Sequence, residues 1–286
     1  MRLAATLLLA LTFSAQAEVP RVVVDFGPVQ SLVSDVMGDL GQPEVLLPIG
    51  GDPHEFQLRP SQAGALAAAD LVFWVGPELI PTLGEAVTSL APQAQVVALL
   101  RDGGGRTRAF DDGGIDPHGW LDPMNGVAWL NRIAEVLAAR DPENTLTYAT
   151  NAARAVAAVQ ALDKQLATIL EPVKKRPFVV YHDALGYFTD HYGLAVAGAI
   201  ELGDASSPSA AQLAGIRAVL AGARPVCVFP EAGRNPKFIT SLSEGLAVQV
   251  GKAQDLEFIE TPSGRGQYVV LLRAIAEGLA ECLGRP

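Results

Sequence analysis

The stretch DPENTLTYATNAARAVAAVQALDKQLATIL, residues 141–170, decides the fold. Asp141, Pro142 and Glu143 are typical of a helix start, and neither Gly nor Pro follows until Pro172. Apolar side chains recur every three or four residues, which places them on one face of a helix. At 1.5 Å per residue such a helix is roughly 43 Å long, more than the width of one small domain. We therefore predict a linking helix that runs along two lobes.

Short apolar runs alternate with helical patterns on both sides of this helix. That alternation is typical of α/β lobes, in which helices cover a mostly parallel sheet. The predicted organisation is a signal peptide (1–17), an N-terminal lobe (18–140), the linking helix (141–171) and a C-terminal lobe (172–286). The predicted strands cover residues 21–26, 45–49, 71–75, 95–100, 178–182, 195–200, 226–229 and 248–251.

The first seventeen residues have the pattern of a cleavable export signal. A basic residue precedes an apolar run at 3–13, which is too short to span a bilayer, and Ala-Gln-Ala at 15–17 resembles a cleavage site. No Cys follows, so we expect no lipid anchor and a soluble monomer in a bacterial periplasm. The chain from Glu18 onwards carries 20 basic and 31 acidic residues, a net charge of −11, which argues against nucleic acid as a partner.

The chain has two cysteines, Cys227 in a strand-like run and Cys282 in the last predicted helix. An even number of cysteines in an exported chain suggests one disulfide, which would join that helix to the second sheet. Closing a loop of this length would stabilise the fold by roughly 4 kcal/mol. Two unpaired buried thiols are the alternative.

Three of the four histidines, His54, His118 and His182, lie where predicted strands pass into loops. Open α/β sheets bind ligands at the carboxyl ends of their strands, so these imidazoles are expected to face one crevice. Three imidazoles suit zinc and leave one coordination position open. Spacings of about sixty residues are atypical for zinc sites, so surface loop histidines stay an alternative. We expect Asp116 to form a turn and His191 to be solvated.

Four blocks of sequence resemble the periplasmic substrate-binding proteins of zinc ABC importers. They are GDPHEFQLRPS (51–61), ADLVFWVG (69–76), DPHGWLDP (116–123) and YHDALGYF (181–188), in the family's order. The resemblance extends over nearly the whole mature chain. It implies two α/β lobes joined by a long helix, Zn²⁺ as cargo, no enzymatic activity, and the membrane permease of an importer as partner.

The resemblance also implies the ligand set, with the three histidines joined by a carboxylate. Counting back from Cys282 places that carboxylate at Asp255. The family's Pro and Gly are missing around it, so Glu257 or water stays an alternative fourth ligand. Glu231 is expected to be a solvated loop acid, and a carboxylate in the cleft or beside a ligand is the alternative. Because ligation needs neutral imidazoles, metal affinity should fall below about pH 6.5.

Family members often carry a histidine-rich loop ahead of the second ligand, whereas residues 102–114 contain no His. We therefore predict one tight site, loaded by free ion or by a metallochaperone. His182, where manganese-binding members tend to have an acid, favours zinc over manganese or iron. A zinc-dependent hydrolase or lyase with an activated water is a further alternative, but the sequence offers no nucleophile motif.

Overall fold

The computed structural model describes residues 18–47, 51, 53–110, 113–202, 208–222, 227–257 and 264–285. The predicted signal peptide lies outside these residues, as do Asp52, Asp111 and Asp112. Within the described ranges, no helix is both long enough and apolar enough to cross a bilayer.

The first sheet is parallel throughout and has the strand order β2-β1-β3-β4. Its two central strands are buried along their whole length, which explains why they read as continuous apolar runs. The strands are β1 (Val22–Val24), β2 (Glu44–Val45), β3 (Leu71–Trp74) and β4 (Gln95–Ala98).

A short antiparallel hairpin separates the first sheet from the second, which is again parallel and has the order β10-β9-β7-β8. The hairpin consists of β5 (Arg108–Ala109) and β6 (Ile115–Asp116). The second sheet consists of β7 (Phe178–His182), β8 (Val196–Glu201), β9 (Cys227–Phe229) and β10 (Gln249–Val250). Two parallel sheets flanked by helices confirm the predicted α/β class with two lobes.

Several of the helices begin with proline, whose fixed φ suits the first helical turn. The α-helices are α1 (Gly27–Met37), α2 (Pro60–Ala68), α3 (Pro81–Leu90), α4 (Leu99–Asp102), α5 (Pro123–Arg140), α6 (Thr145–Leu170), α7 (Gly186–Tyr192), α8 (Ala210–Gly222), α9 (Lys237–Ser243) and α10 (Gln267–Leu283). Short 3-10 helices occur at Gly38–Leu40, Pro53–Glu55, Gly119–Leu121, Pro142–Asn144 and Glu171–Val173.

The predicted linking helix is present as α6, which has 26 residues and is therefore about 39 Å long. Its start differs from the prediction, because Pro142–Asn144 forms a 3-10 turn before the α-helix begins. The buried Asp141 carboxylate accepts hydrogen bonds from the Asn144 side chain and the Tyr148 hydroxyl, both at 2.8 Å. Asp141 therefore holds the turn instead of capping the helix.

The last helix, α10, packs against α6 and also against α1. At its start the Tyr268 backbone N–H donates to the Ser31 hydroxyl of α1 over 2.9 Å. Near its end, the predicted disulfide between Cys227 and Cys282 is present and joins it to β9. One helix thus contacts the layer over the first sheet and is covalently fixed to the second.

Two segments of the first lobe were predicted wrongly. The strand expected at 95–100 ends at Ala98, because the chain turns into α4, where Asp102 accepts the Ala98 N–H at 3.2 Å. The segment 102–114, expected to be a loop, contains β5. The sequence analysis also missed α3, a helix that carries an internal glycine, Gly84.

Candidate metal centre

Three histidines distant along the chain meet in one cluster. His54 lies in a 3-10 helix, His118 follows β6, and His182 is the last residue of β7. Their ring centroids are 4.8 to 5.9 Å apart. One candidate ligand atom from each lies within 4.8 Å of the others. The sequence prediction that these imidazoles share one crevice therefore agrees with their positions.

The spacing of the nitrogens is close to what a tetrahedral ion requires. Zinc–nitrogen bonds of about 2.0–2.1 Å place neighbouring ligand nitrogens roughly 3.3 Å apart. The candidate ligand atoms lie within 4.8 Å of one another, an upper limit that includes this distance. His118 and His182 are buried, and His54 is partly exposed, although both of its ring nitrogens are buried. The His54 nitrogens and Nε2 of His118 are thus shielded from water.

Asp116 orients the His118 ring. One carboxylate oxygen, Oδ1, accepts the His118 backbone N–H at 2.9 Å and lies 2.7 Å from the ring Nδ1. A hydrogen bond to a carboxylate places the proton on Nδ1, which leaves the lone pair on Nε2 for a metal. Nε2 is buried and has no hydrogen-bond partner within the described ranges. Asp116 therefore forms the predicted turn and also orients the His118 ring.

Burial lowers the pKa of His118 to about 4, although the hydrogen bond to Asp116 opposes the shift. Repulsion by the two neighbouring imidazoles adds to the lowering. This imidazole is therefore neutral throughout the pH range around 6.5. We therefore expect protons to compete with a metal at His118 at lower pH than they would at an unperturbed histidine.

The prediction that Glu231 is a solvated loop acid is wrong. Its side chain is 10% exposed, and Oε2 lies 3.6 Å from Nδ1 of His182. The other oxygen accepts from the Arg234 guanidinium at 3.2 Å. Burial alone would raise the pKa of the Glu231 carboxyl, but hydrogen bonding to His182 and the charges of both partners bring it below the usual range. Glu231 thus stands beside His182 much as Asp116 stands beside His118.

Asp255, the predicted fourth ligand, lies in a segment that borders the site. Its neighbour Leu256 accepts the Trp120 indole N–H at 2.9 Å, and the Trp120 ring centroid is 5.2 Å from that of His118. The Asp255 carboxylate accepts the Glu257 backbone N–H at 3.3 Å. Asp255 is not part of the group within 4.8 Å, so its role as a ligand stays a prediction.

The fourth histidine, His191, is not solvated as predicted. Its Nε2 lies 2.8 Å from Asp163, and its Nδ1 lies 3.4 Å from Asp122. Asp122 also accepts the Met124 N–H at 2.9 Å and so caps α5. His191 therefore links α7 to the start of α5 and to α6, away from the cluster.

Comparison with known proteins agrees with this geometry. The family model described as zinc-uptake complex component A, periplasmic, matches residues 22–282. A high-affinity zinc uptake system protein ZnuA of Paracoccus denitrificans (strain Pd 1222) is 47% identical over 305 residues, 94% of each chain. The protein of the same name from Brucella suis biovar 1 (strain 1330) is 30% identical over 308 residues, 92% of each chain.

Solved structures agree as well. The crystal structure of a protein named ZnuA has a TM-score of 0.82 and 25% identity, covering 92% of this chain and 99% of that chain. The matched residues include both parallel sheets and the three clustered histidines. This chain therefore belongs to the family of periplasmic zinc-uptake complex A components.

Proposed function

We propose that this protein captures Zn²⁺ between its lobes and delivers it to the permease of an ABC-type importer. The observation that carries the proposal is the meeting of His54, His118 and His182, which are drawn from both lobes. Relatives that are named for zinc uptake support the cargo. The family description supports a periplasmic location. We also propose that the signal peptide is cleaved after Ala17. The proposed lobes comprise residues 18–140 and 172–286.

The donor set favours zinc over the harder divalent ions. Imidazole nitrogen suits zinc, whereas manganese sites use more carboxylate oxygen. Two carboxylates beside the candidate ligand rings, Asp116 and Glu231, lie 2.7 and 3.6 Å from the Nδ1 atoms of His118 and His182. They therefore act on the ligands in this proposal, and they raise the basicity of the imidazoles.

We propose transport and not catalysis, on the prediction that a carboxylate is the fourth ligand. A catalytic zinc keeps one position open for water or substrate, whereas a carboxylate as fourth ligand would close it. The relatives with the highest identity named above are uptake proteins. Release of the ion would then require His182 to move relative to His54 and His118, and the close packing of α10 on α1 and α6 favours small tilts over wide opening.

The test uses the mature chain purified without a metal-binding tag. We expect it to retain about one zinc per chain and, in competition titrations, to prefer Zn²⁺ over Mn²⁺ by several orders of magnitude. Equal affinity for both ions would contradict zinc transport and favour the manganese alternative. Hydrolase activity that depends on the bound zinc would contradict the transport proposal.

Substituting Asp255 tests the fourth ligand. We expect Asp255→Ala to lower zinc affinity at least tenfold, about 1.4 kcal/mol or more, because an ion held by three imidazoles loses its anionic donor. Glu257→Ala is the matched control, since it removes the neighbouring acid of the same segment. Competition with a chromophoric chelator measures both. A loss of zinc affinity in Glu257→Ala alone would identify Glu257 as the fourth ligand. Unchanged affinity in both variants would favour water as the fourth ligand.

A further inference from the structure

Arg108 of β5 shares a buried carboxylate with the His118 ring. Its Nη1 donates to Oδ2 of Asp116 at 2.9 Å, and the other oxygen of the same carboxylate lies 2.7 Å from Nδ1 of His118. Asp116 and His118 are fully buried. Charge-assisted hydrogen bonds of this kind fix the carboxylate strongly, so Arg108 helps to set the direction in which the imidazole faces.

Arg108 also contacts the other lobe. Its Nε donates to Asp190 of α7 at 3.0 Å, and its backbone N–H donates to the Tyr187 hydroxyl at 2.7 Å. That hydroxyl in turn donates to the Asp116 carbonyl at 3.1 Å. At Gly186 a Cβ atom would overlap the Arg108 guanidinium. The start of α7 is therefore shaped to receive this arginine.

The two ends of this chain of contacts differ in their exposure to water. The Asp190 side chain is 50% exposed, that of Arg108 is 23% exposed, and Asp116 is fully buried. Exposed ion pairs are weak and are screened by salt. The inner pair, Arg108 with the buried Asp116, is shielded from water and from salt. We therefore expect the contact with Asp190 to be the weaker of the two ion pairs that Arg108 forms.

Helix α7 is close in sequence to the candidate ligand of the second lobe, because it begins at Gly186, four residues after His182 ends β7. The contacts run from Asp190 through Arg108 and Asp116 to His118. They therefore connect His118, a candidate ligand of the first lobe, to helix α7 of the second lobe. We propose that Arg108 is a positioning residue for metal capture and release, which holds His118 in its ligating orientation while the lobes are in contact. This inference rests on the proposed function and deepens it.

The experiment measures zinc dissociation from the mature protein into excess chelator, for the wild type, Asp190→Asn, Arg108→Gln and the double variant. We expect about threefold faster dissociation for Asp190→Asn and about tenfold for Arg108→Gln. The double variant should release zinc about as fast as Arg108→Gln, because that substitution already removes the 3.0 Å contact with Asp190, whose other basic neighbour, Arg106, is 4.0 Å away. Arg132→Gln is the control, since Arg132 forms an i,i+3 pair with Glu135 on α5.

Two further readouts separate positioning from a merely structural role. Asp190→Asn should leave the thermal midpoint of the metal-free protein at the value of the control variant. Arg108→Gln should lower that midpoint, because the buried Asp116 carboxylate loses its ion-pair partner. The visible absorption of the Co²⁺-loaded protein should change in Arg108→Gln and stay unchanged in Arg132→Gln, because ligand geometry changes in the first alone.

The outcomes distinguish the two proposals. Wild-type dissociation rates for both Asp190→Asn and Arg108→Gln, in a protein that binds zinc tightly, would overturn the role of Arg108 and leave the proposed function intact. Additive effects in the double variant would overturn the coupling through Arg108. A wild type that binds no zinc would overturn the proposed function, and with it this inference.

Discussion

Replacing His118 with alanine is expected to lower zinc affinity by more than a hundredfold. Apparent binding free energies at four-ligand zinc sites are about 10–16 kcal/mol, so one ligand contributes roughly 3 kcal/mol, which is more than a hundredfold in Kd. His118 is fully buried, burial lowers its pKa to about 4, and Asp116 orients its ring, so it is held ready to donate its Nε2 lone pair. Competitive titration with a chelator of known affinity measures the loss.

His191→Gln is the matched control for this prediction. His191 lies between Asp163 and Asp122 and outside the cluster, so its substitution should leave zinc affinity within about twofold of the wild type, well under 1 kcal/mol. Circular dichroism of both metal-free variants checks that the fold is retained. Unchanged affinity in His118→Ala would refute the metal centre, whereas equal losses in both variants would point to general destabilisation.

Removing the disulfide with Cys227→Ala and Cys282→Ala together should lower the free energy of unfolding by about 4 kcal/mol. The two cysteines are 55 residues apart in sequence, and a cross-link of that span restricts the unfolded chain by about this amount. Alanine is preferable to serine, because both positions are buried. A buried serine hydroxyl that forms no hydrogen bond would lower the stability by itself. Denaturant unfolding of metal-free protein measures the change.

Wild-type protein reduced with a thiol reagent is the control, because it loses the cross-link and keeps both sulfur atoms. We expect reduced wild type and the double variant to unfold at similar denaturant concentrations, both below the oxidised protein. A loss of less than about 1 kcal/mol in both would mean that the native contacts of α10 constrain the chain without the cross-link.

The elements that could be predicted are those whose signals are local in sequence. The α6 helix has an unbroken 3.6-residue period, and β1 and β3 are short apolar runs buried on both faces. The three histidines could be proposed as a group because strand ends in an α/β sheet face one side. Zinc as cargo came from the resemblance of several sequence blocks, since the spacing of the histidines alone left surface loops open.

The partners of the ligands could not be predicted, because they depend on contacts distant in sequence. Glu231 reaches His182 only after β9 has paired with β7, so the sequence left a carboxylate in the cleft as the less favoured alternative. Asp116 is different, because it stands two residues before His118. A side chain at that spacing can bond the backbone N–H as in an Asx turn, and the same oxygen here reaches the ring.

The position of α10 has a consequence for how the fold is completed. Helix α1 packs against α10, and the hydrogen bond between Ser31 and Tyr268 joins residues 237 positions apart in the chain. The layer over the first sheet is therefore incomplete until α10 has docked, although the strands of that sheet are close together in sequence. We therefore expect the first lobe to lose its fixed packing when α10 detaches, so that both lobes unfold in one cooperative transition.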